Sequence, residues 1–135
     1  MNKKPILFDT NETQPDTSRP GGRSWIFQGS EKLTIQYSEI FSNPESMTHV
    51  HTDYEQVIMI TQGKANFWCG DEYYELSAGC IMVVPPNVPH GIQSRTDSTE
   101  DLKVIEIFCP KAIERTQSPR VSDEGHLNWE KLTEK

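Results

Sequence analysis

Residues 55–89 constrain the fold more than any other part of the chain. They read EQVIMIT, then Gly63 opening GKANFWC, then Gly70-Asp71, then EYYEL, then the turn SAG, then CIMVVPP. Each apolar run is short and rich in β-branched or aromatic residues, and each is bounded by glycine or proline, which is the mark of strands joined by tight turns. Gly70-Asp71 is placed as a hairpin turn. The same texture appears in RSWIFQG at 23–29, in KLTIQYSEIF at 32–41 and in LKVIEIFCP at 102–110. In the second of these, period-two alternation puts Ile35, Tyr37 and Phe41 on one side. About eight closely spaced strands predict an all-β sandwich or barrel. No segment repeats at a fixed period.

With 135 residues the chain is read as one domain, large enough to form a core without disulfide staples. Residues 1–30 are expected to form an N-terminal arm, 31–110 the β-barrel and 111–135 a polar tail. Within the arm, DTNETQPDTSRPGG at 9–22 is turn-rich and would be pinned by Ile6 and Phe8. Within the tail, HLNWEKLTEK suggests a short helix with Leu127 and Leu132 inward. The net charge of −7, with no basic stripe, argues against nucleic acid or an anionic membrane as partner. An anionic ligand would then need a local cation, such as a bound metal. Cys69, Cys80 and Cys109 are odd in number and have no CxxC spacing, which fits a reducing compartment. The run PILF is too short to follow MNKK as a signal peptide. No stretch approaches the ~20 apolar residues of a membrane helix. The expected location is cytoplasmic.

Two stretches carry chemistry: HVHTDYEQ at 49–56 and GCIMVVPPNVPHGIQ at 79–93. Together they resemble the two motifs of the cupin family: H-x-H, three or four residues, a glutamate, six residues and a glycine, then G, five residues, P-x-G, two residues and H. Gly63 closes the first motif and Gly79 opens the second, while Asn87 stands where the family has glycine. Asn tolerates the left-handed backbone that this position needs. The resemblance covers roughly residues 32–110. It implies the cupin double-stranded β-helix, a jelly-roll barrel of two antiparallel sheets, and a divalent metal ion (Zn, Fe, Mn or Ni) held by His49, His51, His90 and a fourth ligand.

Elementary geometry is compatible with that implication. His49 and His51 are two residues apart and share one face of an extended segment. Imidazole suits first-row transition metals. Prolines 85, 86 and 89 stiffen the loop that carries His90. For the fourth ligand, the family spacing admits Glu55 or Gln56. Counting back from Gly63, and alternation that sets Gln56, Ile58 and Ile60 against Glu55, Val57 and Met59, favour Gln56 with Glu55 in reserve. A neutral glutamine would leave the dication's charge uncompensated, making it a stronger Lewis acid.

The arrangement H-x-H-x-x-x-E-Q is similar to that of the uronate-linearising cupins of pectin and alginate breakdown. Those carry a later D-x-F-x-P-x-R segment whose Asp and Arg serve the chemistry. Here the stretch is EIFCPKA, with Glu106 where the acid falls, Phe108 and Pro110 retained, and Ala112 in place of the arginine. Ala112 cannot hold a carboxylate, and neither Lys111 nor Arg115 sits at the matching position. Glu106 is the candidate catalytic acid or base, and it faces either solvent or the cavity. Tyr37, Tyr54, Trp68 and Phe108 are candidate ligand-binding walls, with Gln36 and Gln93 as orienting groups.

The function expected from these readings is a metal-dependent enzyme acting on an oxygen-rich small molecule, such as a sugar acid or keto-acid, by isomerisation, ring opening, lyase or dioxygenase chemistry. The alternative is a non-catalytic small-molecule binding or sensor cupin. An acid converging on the metal would separate the two. A homodimer formed through open sheet edges and N-terminal arms is the expected assembly.

Overall fold

A computed structural model describes residues 4–41, 50 and 53–112. Nine strands lie within them: β1 (Thr17–Arg19), β2 (Gly22–Phe27), β3 (Thr34–Ile40), β4 (Glu55–Gln62), β5 (Lys64–Cys69), β6 (Glu72–Ser77), β7 (Ile81–Val84), β8 (His90–Ser94) and β9 (Leu102–Cys109). They form a six-stranded sheet, order β1-β2-β3-β9-β4-β7, and a three-stranded sheet, order β6-β5-β8. Every recorded pairing is antiparallel. The expected helix at 126–135 lies outside the described residues, as do His49, His51 and Arg115.

The turns fall where the chain supplies a left-handed backbone. Gly63, Gly70 and Gly79 have φ of 85°, 59° and 100°, and Asn87 has φ of 68°. The hairpin at Gly70-Asp71 joins Cys69 to its register partner Glu72. A bulge between Ile60 and Gln62 shifts the β4–β9 register just before the chain turns at Gly63.

The core lies between the sheets. Ile58, Ile60, Val84, Leu102 and Val104 of the larger sheet meet Ala65, Phe67 and Leu76 of the smaller one. Burying each of the large apolar side chains contributes roughly 1.5–3 kcal/mol. A second cluster, Tyr54, Phe108 and Ala112, covers one end.

Within residues 1–30, β1 and β2 are strands of the larger sheet. What precedes them is tied down: Phe8 stacks on Phe27 with centroids 4.2 Å apart, Trp25 Nε1 donates to the Thr13 carbonyl at 2.6 Å, and Asp16 accepts from the Ile26 amide at 2.6 Å. The apolar side of β3 is not its inner side. Thr34, Gln36 and Ser38 are buried, while Ile35 and Tyr37 lie on the opposite face. The larger sheet therefore turns a polar row inward on β3.

Candidate metal and ligand site

Strand β4 alternates as its sequence indicates. Gln56, Ile58 and Ile60 are 1–2 % exposed, while Glu55 is exposed on the other face, in register with Cys109. Gln56 sits between Phe108 of β9 and Val84 of β7. Its amide is thus held on the inner surface with apolar neighbours on both adjoining strands.

His90 reaches the same place from the smaller sheet. The loop before it is fixed by the left-handed Asn87 and by the Pro89 carbonyl, which accepts from the Gly70 amide at 2.9 Å. The ring is 1 % exposed. Nδ1 lies 2.9 Å from the Val88 carbonyl. A carbonyl only accepts, so Nδ1 carries a proton, and in the neutral form of the ring the lone pair is on Nε2. That nitrogen lies 2.9 Å from Gln56 Oε1.

The other end of the Gln56 amide donates through Nε2 to Glu106 Oε1. Glu106 is opposite Gln36 on one side and Ile58 on the other, so its side chain is on the inner face. The row continues outward: Ser38 Oγ donates to Glu106 Oε2 at 3.5 Å, Gln36 Nε2 donates to Ser38 Oγ at 3.1 Å, and Ser24 Oγ lies 3.1 Å from Ser38 Oγ. A line of polar groups thus crosses four strands of the larger sheet and ends on a histidine of the smaller one.

The donor set fits a cation. Two oxygen or nitrogen ligands each about 2.1 Å from one ion at right angles stand about 3.0 Å apart, close to the observed Oε1–Nε2 separation. Both atoms are uncharged acceptors in the neutral tautomer, and a cation between them satisfies both. No group of three His, Cys, Asp or Glu that could hold a metal is found among the described residues, which do not include His49 and His51.

The other sequence-derived candidates divide by face. Phe108 is fully buried beside Gln56, and Tyr54 packs edge-on against it at 5.3 Å. Tyr37 is on the outer face of β3, tilted against Trp25 at 5.4 Å and donating to Glu39 Oε2 at 2.8 Å. Burial, then the Glu39 hydrogen bond and charge, push its hydroxyl up to about 12. Trp68 and Gln93 pair with Gly91 and Asn66, on the face of the smaller sheet away from His90. Tyr37 and Trp68 therefore do not line the inner face as read from the sequence. Cys69 is in register with His90 on the inner face, and burial raises its thiol pKa, favouring the protonated form. Ala112 is fully buried, its amide donating to Thr34 Oγ1 at 2.8 Å and its carbonyl accepting from Gln28 Nε2 at 2.8 Å.

Ser38 and Ser24 were missed by sequence reasoning. Their signal was the alternation Thr34-Gln36-Ser38, a polar line at period two inside an otherwise apolar strand.

Comparison with known proteins agrees with the architecture. The family model described as Cupin domain matches residues 40–108. The structure of KdgF from Halomonas sp. superposes with a TM-score of 0.69 at 22 % identity, covering 79 % of this chain and 94 % of that one. An RmlC-like cupin from Shewanella frigidimarina gives 0.66 at 20 % identity, covering 82 % and 95 %. Pac13, described as a unique nucleoside dehydratase, gives 0.67 at 12 % identity, covering 86 % and 99 %, and the Streptomyces protein has also been solved with uridine. No curated protein matches the sequence.

Proposed function

The chain belongs to the cupin family, and from that premise we propose that it is a metal-dependent enzyme acting on a small, oxygen-rich molecule such as a sugar acid or keto-acid. The observation that carries this reading is the buried pair of Gln56 Oε1 and His90 Nε2, 2.9 Å apart and contributed by different sheets. His49 and His51 complete the ligand set in this proposal, and Glu55, exposed on the outer face, is set aside. A bound divalent ion supplies polarisation of a substrate carbonyl or hydroxyl.

The chain's own residues supply the rest. Gln56 carries no charge, and the carboxylate of Glu106 lies one amide further along. Glu106 is half-buried rather than sealed, and it lies on the inner face where a substrate proton can reach its carboxylate. It serves as the group that takes up or returns that proton. Phe108 and Tyr54 form an apolar wall beside the pair. Ala112 offers no cation, so a substrate carboxylate is engaged by the metal rather than by an arginine at that position. The protein acts in a reducing, cytoplasmic setting as a homodimer; its three free cysteines support the first, and Ile81 and Val83, exposed on the edge strand β7, support the second. No helix among the described residues is long and apolar enough to cross a membrane.

Elemental analysis of purified wild type, Gln56→Ala, Glu55→Ala and His90→Ala tests the metal. Stoichiometric metal in wild type and Glu55→Ala, with loss in the other two, is expected. Retention in Gln56→Ala with loss in Glu55→Ala rejects the ligand set. At saturating metal, Glu106→Gln is expected to abolish turnover on whichever sugar acid or keto-acid the wild type converts. If a broad panel of such compounds binds but none is converted, the protein is a sensor.

A further inference from the structure

We infer that Glu106 dictates which end of the Gln56 amide faces the cation site, and so acts on metal binding as a positioning residue through Gln56. This rests on the metal-binding reading above. A glutamine amide has an oxygen and an NH2 end of nearly equal size, and shape alone barely distinguishes them. The register neighbours of Gln56, Phe108 and Val84, are apolar and do not choose between them. Left to itself, the NH2 end would turn toward the His90 Nε2 lone pair and donate to it, and a hydrogen atom would occupy the space between the two ligands.

Glu106 prevents this because a carboxylate only accepts. It takes the Gln56 Nε2 hydrogen on Oε1. The oxygen end is thereby aimed at His90. The polarity is enforced from behind as well. Gln36 Nε2 donates to Ser38 Oγ, and with Ser24 Oγ donating to Ser38 as well, the Ser38 hydroxyl hydrogen goes to Glu106 Oε2. The Val88 carbonyl sets the opposite end of the chain by claiming the Nδ1 proton. Donor directions are therefore fixed at both ends, and with His90 in its neutral form they meet as two lone pairs between Gln56 and His90.

The test is cobalt titration of chelator-stripped protein, read by calorimetry and by the visible absorption of bound Co(II). Glu106→Gln keeps the shape but can offer either end to Gln56. It is expected to weaken cobalt binding by about 10–100-fold and to change the visible band. Adding Gln56→Glu to that variant is expected to restore wild-type affinity or better, because a carboxylate presents oxygen however it is turned and accepts from the introduced amide. If circular dichroism shows Glu106→Gln unfolded, Ser38→Ala, which removes only the support behind Glu106, replaces it and is expected to weaken cobalt binding less. If wild type takes up no cobalt, the metal reading fails and takes this inference with it. If wild type binds and Glu106→Gln (or, where used, Ser38→Ala) binds equally with the same band, the inference alone is overturned. A Glu106→Gln defect that Gln56→Glu fails to rescue marks a purely structural role and also overturns it.

Discussion

Replacing Thr34 with valine isolates the polar clasp that closes the wall beside the site. Thr34 is fully buried. Its hydroxyl donates to Gln28 Oε1 at 2.6 Å and accepts from the Ala112 amide at 2.8 Å, while Gln28 Nε2 donates to the Ala112 carbonyl at 2.8 Å. Valine keeps the shape and removes both bonds. The Ala112 amide, in a residue with no exposed surface, loses this partner, which costs about 1–3 kcal/mol. The half-buried Gln28 oxygen adds about 1 kcal/mol. The expected total is about 3 kcal/mol, or a fall in Tm of roughly 12 °C for a domain of this size. Thr34→Ser keeps the hydroxyl and gives up a methyl group, for about 1 kcal/mol. Urea denaturation of wild type and both variants, analysed with a common slope, measures the difference. If valine costs no more than serine, the clasp is not what holds Ala112 in place and the reasoning fails.

Substitutions at three further positions probe the frame around the site. Gly63→Ala forces a side chain onto a residue at φ 85°, with its Cβ 2.9 Å from the Asp101 carbonyl oxygen and 3.0 Å from Leu102 Cα; a loss of about 3 kcal/mol in urea is expected, and a neutral result means the bulge relaxes freely. Asn87, at φ 68°, should accept glycine within about 0.5 kcal/mol but valine only at about 2 kcal/mol, as read from thermal melts. Tyr37 is held protonated to about 12, so the stability tied to its proton is complete below pH 10.0 and is lost as pH rises from there through 12. Tyr37→Phe should accordingly flatten the alkaline fall in Tm, and an unchanged slope assigns that fall to other groups.

Much of this was legible from residue patterns because alternation and turn chemistry are local. Gly63, Gly70, Gly79 and Asn87 all occupy the left-handed positions their types suggested. The inward face of β4 followed from Gln56, Ile58 and Ile60 alone. The faces of β3 did not follow, because apolar Ile35 and Tyr37 suggested the wrong side for a ligand wall. Tyr37 packs instead on Trp25, outside the larger sheet. Thr34, Gln36 and Ser38 can be buried because Gln28, Glu106 and one another satisfy them, and although their alternation shows in the strand, the distant partners that allow its burial do not. Trp68 was misplaced for a similar reason: Phe67 and Cys69 take the inner face of β5, and which of two apolar neighbours turns inward is set by the register with β8. His49, His51 and the tail stand outside the described residues, and their roles rest on the sequence.

Because Gln56 and His90 hang from opposite walls, the gap between them works as a caliper for how far apart the walls stand. That spacing is set remotely, by the bulk of Ile58, Val84 and Phe67. Trimming one of those side chains lets the walls settle by a fraction of an ångström, which a β-sheet spectrum does not register and the Gln56–His90 separation does. Damage deep in the interior should therefore surface first as an altered Gln56–His90 contact in a protein that still looks intact.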